Sequence, residues 1–247
     1  MKKMLYAWLS HRWPRLWFFL KYHAETEYQT YLYARGEIIP FGKTLRKQKA
    51  LDSVFLPIIQ GQSVLEIGCD TGFFPLYAAV NGATRATGVD RNRRALAKAE
   101  HARAVMQMPQ VDFLYGNVPE IRVDGVYDTV VFLSAIHYMF SGQCGNKVLF
   151  RKMDAFVEFI SAFVGTYLLI EFVEPADAAA TLLVEKTLIE SGEYSESSFL
   201  SALHRRFGTV VDLGRTHYPT RRVYLAARGA LPPVYSVIPS SVSHHAR

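Results

Sequence analysis

Residues 63–92 read SVLEIGCDTGFFPLYAAVNGATRATGVDRN. A short apolar run ends at Gly68, a glycine-bearing turn follows, helical spacing resumes at Phe73, and a second apolar run stops at Asp90. Apolar runs of this length, bounded by turn residues, predict buried strands at 63–67 and 86–90. The spacing between them predicts a helix from about Phe73 to Val80, with Gly82 placed to terminate it. Many nucleotide-binding folds begin this way, so the question is which cofactor such a turn would hold.

Working outward, "RNRRALAKAEHARAVM" predicts a basic helix, and "VDFLYGN" (111–117) a third strand. A fourth strand lies within 127–139, a helix at about 147–162 leads to a fifth at 166–174, and "GTVVDLG" and "RRVYLAA" predict an antiparallel pair. Upstream, 5–34 reads as mostly helical with a break near Pro14, 34–44 as a loop, and 45–59 as a helix entering the core. The expected organisation is a basic, aromatic helical arm over 1–50, an α/β domain over 51–229 and a loose tail over 230–247. Strand–helix alternation implies a doubly wound, mainly parallel seven-stranded sheet with an antiparallel C-terminal pair. In such a sheet the ligand lies beyond the carboxyl ends of the strands. Glu66 to Gly72, Asp90, Asn117 and Ser134 to His137 all fall at predicted strand ends, which points to one shared site.

The chain has 247 residues, 50% of them apolar, enough for one α/β domain and a modest extension. Two cysteines, Cys69 and Cys144, cannot build a disulfide framework and lack metal-ligand spacing. A cytoplasmic setting is expected. The N-terminal apolar run is broken by His11, Arg12, Pro14 and Arg15, so neither a signal peptide nor a membrane span is expected there. Residues 1–50 carry ten Lys/Arg and three Asp/Glu, a net of +7, against +6 for the whole chain. An arm of this kind, 1–24 above all, either packs on its own domain or meets an anionic surface, with the inner face of a membrane ahead of nucleic acid.

Two phosphate-binding readings fail. A dinucleotide turn needs glycine at its first, third and sixth positions, and counting from Gly68 the third is Asp70 and the sixth Phe73. No GKS or GKT sequence is present for a P-loop. The turn Glu66-Ile67-Gly68-Cys69-Asp70-Thr71-Gly72, the second-strand acid Asp90 and "YDTVVFLSAIHY" instead resemble the Rossmann-like (class I) S-adenosylmethionine-dependent methyltransferases, over roughly residues 50–228. That cofactor carries no phosphate, so the turn must only admit backbone to its ribose and amino-acid parts, which Gly68 and Gly72 allow. Asp90 is placed to accept from both ribose hydroxyls. The family's middle glycine is Asp70 here, and aspartate tolerates a left-handed backbone if the position needs one. "YGNV" stands where many members have Gly-Asp-Ala, and Asn117 can still offer an amide oxygen to the adenine amine. The resemblance implies cofactor contacts from Glu66, Gly68, Cys69, Asp70, Gly72, Phe73, Asp90, Arg91, Asn117, Val118, Leu133 and Ser134.

Methyl transfer from a sulfonium is an in-line displacement for which the protein supplies alignment and, for a hydroxyl, a base. His137 is the candidate base, or else it floors the pocket; Tyr138 shapes the acceptor side or packs. Glu171, inside the apolar run "YLLIEFVE", steers the acceptor or makes a structural hydrogen bond. A weaker resemblance joins "YQTYLYARGEIIPFGKTLRKQKAL" and "GRTHYPTRRVYLAA" to enzymes methylating bacterial surface polysaccharide ends and to tRNA wobble-uridine modification enzymes. It implies that Tyr28, Gln29, Lys43 and Arg46 fold over the cofactor, and that Arg221 and Arg222 either face an anionic substrate or are solvated. No basic–aromatic RNA module of known pattern is visible. The expected acceptor is a small molecule, glycan or lipid-linked hydroxyl, with tRNA modification or an inactive cofactor-binding partner subunit as alternatives.

Overall fold

The computed structural model of the chain describes residues 29–118, 120, 123–141 and 148–232. The expected arm 1–24, Tyr28, Cys144 and most of the expected tail lie outside the described residues.

The opening described segment is a hairpin, β1 (Tyr31–Ala34) and β2 (Glu37–Pro40), turning at Gly36 with φ 74°. This corrects the helix expected to run to 34 and the loop expected over 34–44. Tyr31 and Tyr33 alternate along the strand; Tyr31 meets the Phe73 ring at 5.7 Å and Tyr33 the His101 ring at 6.2 Å. The relevant period there is two, not 3.6. Helix α1 then runs over Gly42–Ile59, straight through residue 50, with Pro57 in its last turn. Its buried stripe is Thr44, Lys47, Gln48, Leu51, Val54, Phe55, Ile58 and Ile59, a helical spacing that carries two long polar side chains into the interior.

The main sheet is built from β3 (Ser63–Ile67), β4 (Arg85–Asp90), β5 (Val111–Tyr115), β6 (Tyr127–Phe132), β7 (Val164–Val173), β8 (Thr209–Arg215) and β9 (Arg221–Ala227). Its order is β5-β4-β3-β6-β7-β9-β8. The first five are mutually parallel, and β9 pairs antiparallel with both β7 and β8, as expected. From β3 the chain steps outward to β4 and β5, then returns to place β6 on the other side of β3. The order therefore reverses at β3, and a crevice opens above its carboxyl end.

Helices cover both faces: α1, α2 (Phe73–Val80) and α3 (Arg93–Met106), then α4 (Ile136–Met139), α5 (Met153–Ser161), α6 (Ala178–Leu183), α7 (Lys186–Glu190) and α8 (Glu196–His204). α5 starts at Met153 rather than near 147, because 148–152 form bends before it. Strand β7 shows why central strands here read as unbroken apolar runs. Leu168, Ile170 and Phe172 pack into the core on the α5–α8 side, while Leu169 packs into the core built on α1 and α2. Glu171 shares the pleat phase of Leu169 and so faces α1.

Gly72, with φ 81°, sits where a Cβ would lie 2.5 Å from the Phe113 ring and 2.8 Å from Ala99. Gly72→Ala should therefore destabilise the protein by about 2 kcal/mol or more in urea unfolding, from left-handed strain plus overpacking. A change of a few tenths would show that the turn relaxes.

Candidate active site

The turn after β3 is held to β4 by its backbone: Gly68 and Cys69 N–H both donate to the Val89 carbonyl, at 2.8 and 3.0 Å. Asp70 is left-handed at φ 48°, as anticipated for a residue replacing glycine. Its N–H donates to Asp90 Oδ2 at 2.8 Å, and Asn92 N–H donates to Asp90 Oδ1 at 2.7 Å. The carboxylate is thus fixed at the end of β4, while each oxygen keeps a further lone pair for a ligand. Asn92 also starts α3, its side chain accepting from Arg94 and Ala95 N–H.

The N-terminus of α2 is closed by the segment before the core. Gln29 Oε1 accepts from Phe73 N–H at 3.0 Å and from the Thr71 hydroxyl at 3.3 Å. An N–H that a phosphate would use is therefore already occupied, a second reason, independent of glycine spacing, that a pyrophosphate does not suit this turn.

A cavity of about 410 Å³ lies over the carboxyl ends of β3, β4 and β6. Among the anticipated residues, Gly68, Asp70, Asp90, Arg91, Asn117, Val118, Leu133, Ser134 and His137 line it, together with Tyr138 and Arg221. Met139, Ala179 and Tyr218 complete its wall on the side of β6 to β9 and were not anticipated. Gly72 and Phe73 are not at the cavity: the first packs on Phe113 and the second is core. The Cys69 side chain is fully buried. Glu66, Gln29 and Lys43 line a separate inner chamber instead. Arg46 and Glu171 line neither, and Arg222 pairs with Asp212 and Glu196.

Glu171 is wholly buried and partnered. Lys47 Nζ donates to Glu171 Oε2 at 3.0 Å and to Ser134 Oγ at 2.6 Å, and the Ser134 hydroxyl also donates to Glu171. Thr216 Oγ1 donates to Glu171 Oε1 at 3.1 Å. Arg221 Nη1 donates to Ser134 Oγ at 3.2 Å, its Nε donates to Asp177 Oδ2 at 3.0 Å, and its plane lies 4.2 Å over the Tyr218 ring. Burial alone would raise the Glu171 pKa, but the Lys47 charge and the hydrogen bonds of Ser134 and Lys47 bring it below the usual value. Glu171 thus makes the structural hydrogen bonds that the sequence reading left open beside acceptor steering. Lys47, missed at first, had a signal in the sequence: it falls on the buried stripe of α1, whereas Arg46 lies a residue out of phase.

His137 is 2% exposed and its Nδ1 has no hydrogen-bond partner. Burial, then the Arg221 charge, lowers its pKa to about 4, so the imidazole is neutral at pH 7. Asp177 would be raised by its burial, but hydrogen bonds from Arg221, Thr220 and Ala179 bring it down to about 2.

Lys47→Met should cost about 3–5 kcal/mol in urea unfolding, because Glu171 would be left charged and unpaired in the interior. The Lys47→Met/Glu171→Leu pair should recover most of that. A single variant as stable as the wild type would contradict the burial of the pair.

The residues fit S-adenosylmethionine. Gly68, at φ 80°, removes a side chain where ribose must approach; Asp90 and Asn117 offer oxygen acceptors on one side; and Glu66 Oε2 is a buried oxygen without a partner. The family described as "Methyltransferase domain" matches residues 64–153. The chain is 30% identical over 74 residues to a probable protein arginine N-methyltransferase 6 of Arabidopsis thaliana, a match covering 30% of this chain and 17% of that relative. A counterpart from Oryza sativa subsp. indica, a probable protein arginine N-methyltransferase 6.2, matches equally over 19% of its length, so the chain spans less than a fifth of these curated relatives. Magnesium protoporphyrin IX methyltransferase of Synechocystis PCC 6803, solved with bound S-adenosylmethionine, superposes with a TM-score of 0.53 at 18% identity, covering 75% of this chain and 81% of that one. An S-adenosylmethionine-dependent methyltransferase of Mesorhizobium loti gives 0.53 at 16% over 74% and 98%. The bifunctional kinase-methyltransferase WbdD gives 0.52 at 18% over 74% and 38%. At such identities these superpositions speak for the fold, and the family match speaks for the cofactor-binding half of it. Residues 64–153 thus match the methyltransferase-domain family, and the chain has the class I, Rossmann-like fold of S-adenosylmethionine-dependent methyltransferases.

Proposed function

We propose that this protein is an active methyltransferase that methylates a hydroxyl of a small-molecule, glycan or lipid-linked acceptor. The observation that carries the reading is a single cavity with Asp90 and Asn117 on the β4–β5 side and a neutral His137, its Nδ1 without a hydrogen-bond partner, on the β6 side. The cofactor supplies an electrophilic methyl group on sulfur. The chain's own residues hold the adenosine end, exclude water and align the acceptor.

On the acceptor side, a neutral imidazole can take a hydroxyl proton, which a protonated one cannot. Tyr138 and Met139 flank it along α4, and Tyr218 and Arg221 arrive from the hairpin loop opposite. Because Asp177 already neutralises Arg221, the charge on this wall does not by itself select an anionic acceptor. The named relatives act on a porphyrin or on protein arginine, or pair a methyltransferase with a kinase, so they do not choose among acceptors.

Calorimetry with S-adenosylhomocysteine should show binding that weakens by about tenfold or more in Asp90→Ala, equivalent to about 1.4 kcal/mol. His137→Ala should keep that affinity but lose about a hundredfold in methyl transfer across glycan, lipid-linked and small hydroxyl acceptors. Full turnover by His137→Ala would remove the base role, and no binding by the wild type would remove the enzyme.

The pH dependence follows from the same histidine. Its folded pKa, about 4, lies below the ordinary value of 6.5, so the unfolded chain binds the extra proton. Stability from this group is full above about pH 6.5 and falls as pH drops toward 4. NMR titration should find the His137 ring neutral down to about pH 4. A midpoint near 6.5 would show that the ring is solvated.

A further inference from the structure

Helix α6 turns most of its apolar residues away from the core. Five of the six residues in AAATLL, Ala178–Leu183, are apolar, yet only Ala180 is buried. An amphipathic helix directs such side chains inward. Leu182, at 80%, is the most exposed large hydrophobic side chain among the described residues, and Leu183 is half-buried. The helix is nevertheless held at both ends. At its start Asp177 accepts from Ala179 N–H, Thr220 and Arg221. At its end Val184 bridges to Ser141, and Glu185 N–H donates to the Phe140 carbonyl at 3.4 Å. α6 is thus fixed between the hairpin loop and the segment after α4, with Leu182 directed at solvent.

Ala179 lines the cavity, where Tyr138, Met139 and Tyr218 share its wall. Leu182 and Leu183, three and four residues on, each lie within about 60° of Ala179 around the helix axis. They continue that wall outward as an apolar ledge, beside α4, which packs against α6 and carries His137.

We propose that this ledge holds an alkyl chain of the methyl acceptor, whose hydroxyl meets His137 inside the cavity. The inference rests on the reading of the protein as a hydroxyl methyltransferase and narrows its acceptor to one with a lipid-like tail. The charges agree with an uncharged occupant. Ala178–Leu183 holds no ionisable side chain, and Arg221, in the same wall, is paired with Asp177 at 3.0 Å. Just past the helix, Glu185 pairs with Arg151 and Lys186 with Glu190. An anion or a bare sugar gains little from aliphatic side chains, whereas a run of methylenes removes their surface and its own from water. A second copy of the protein could also cover an exposed leucine, but the continuity of Leu182 with the cavity wall favours the acceptor.

The test uses the full chain saturated with S-adenosylhomocysteine, with the primary alcohols butanol, hexanol and octanol as probes, read by calorimetry and methyl NMR. Affinity should rise about twofold per methylene, as for a chain that buries about half its surface, so octanol binds about fifteenfold tighter than butanol. Octanol should shift the methyl signals of Ala179, Leu182 and Leu183 together with the His137 ring. Leu182→Asp should cut the octanol-to-butanol ratio to about fivefold or less. Because that side chain is exposed, the same variant should keep its urea midpoint and hold S-adenosylhomocysteine within about twofold. Leu182→Met should keep the wild-type ratio. Equal affinities for the three alcohols, or an unchanged ratio in Leu182→Asp, overturn the ledge while the methyltransferase reading stands. So do methyl shifts without a His137 response, the mark of a surface for a protein partner. A wild-type dimer that Leu182→Asp makes monomeric overturns it too, as a contact between copies. If the wild type binds no S-adenosylhomocysteine, the methyltransferase reading falls and takes the acceptor chain with it.

Discussion

One buried ammonium organises the site. Lys47 is 5% exposed, and it ties three separate parts of the chain together: α1 ahead of the core, the turn after β6 at Ser134, and β7 at Glu171. In an interior where water cannot screen or solvate, a carboxylate keeps its charge only if a cation stays beside it. Two carboxyl groups compete for this cation. Glu171, at 3.0 Å, is held below the usual carboxylate range, whereas burial pushes Glu66 well above it against the pull of the same lysine.

The same constraint reaches the β6 side of the cavity through Ser134. That residue is left-handed at φ 55°, and its hydroxyl meets Lys47, Glu171 and Arg221. Strain of this kind persists where surrounding contacts over-determine it. The short helix α4, with His137 in its first turn, starts directly after, so the orientation of the imidazole is inherited from the polar hub. Arg221 carries the link on to Asp177, whose side chain also accepts from Ala179 N–H at the start of α6. Helix α1, the turn after β6, strand β7 and the C-terminal hairpin are thereby one hydrogen-bonded assembly.

Much of this was legible in the chain itself. Strands β3 and β4, the turn between Gly68 and Gly72, the left-handed Asp70, and Asp90 at the end of β4 depend on local chemistry: apolar run length, glycine spacing, and the few side chains that tolerate positive φ. The hairpin at Tyr31–Pro40 was not legible, because an aromatic-rich stretch satisfies a helical pattern as readily as an alternating one until its packing partner is known. That partner is Phe73, more than forty residues along. Gln29 is a similar case, since nothing near it in sequence reveals that it caps α2. The resemblance pointed to Arg46 rather than Lys47, although one residue on a helix is a turn of about 100° and here separates solvent from core.

Taken by itself, the sequence determined the class of the protein: a doubly wound sheet, a cofactor turn that rejects phosphate, and an acid at the next strand end. These are short-range properties, carried by backbone freedom and strand periodicity. Only the tertiary structure decided which polar side chains share a space: Lys47 with Glu171, Glu66 with His217, and Ser134 with Arg221. Each of those pairs is separated by 87 residues or more, and its energetics depend on burial, which no local pattern specifies. A lone carboxylate or histidine in a sequence has no fixed charge; the neighbours that the fold delivers to it assign one.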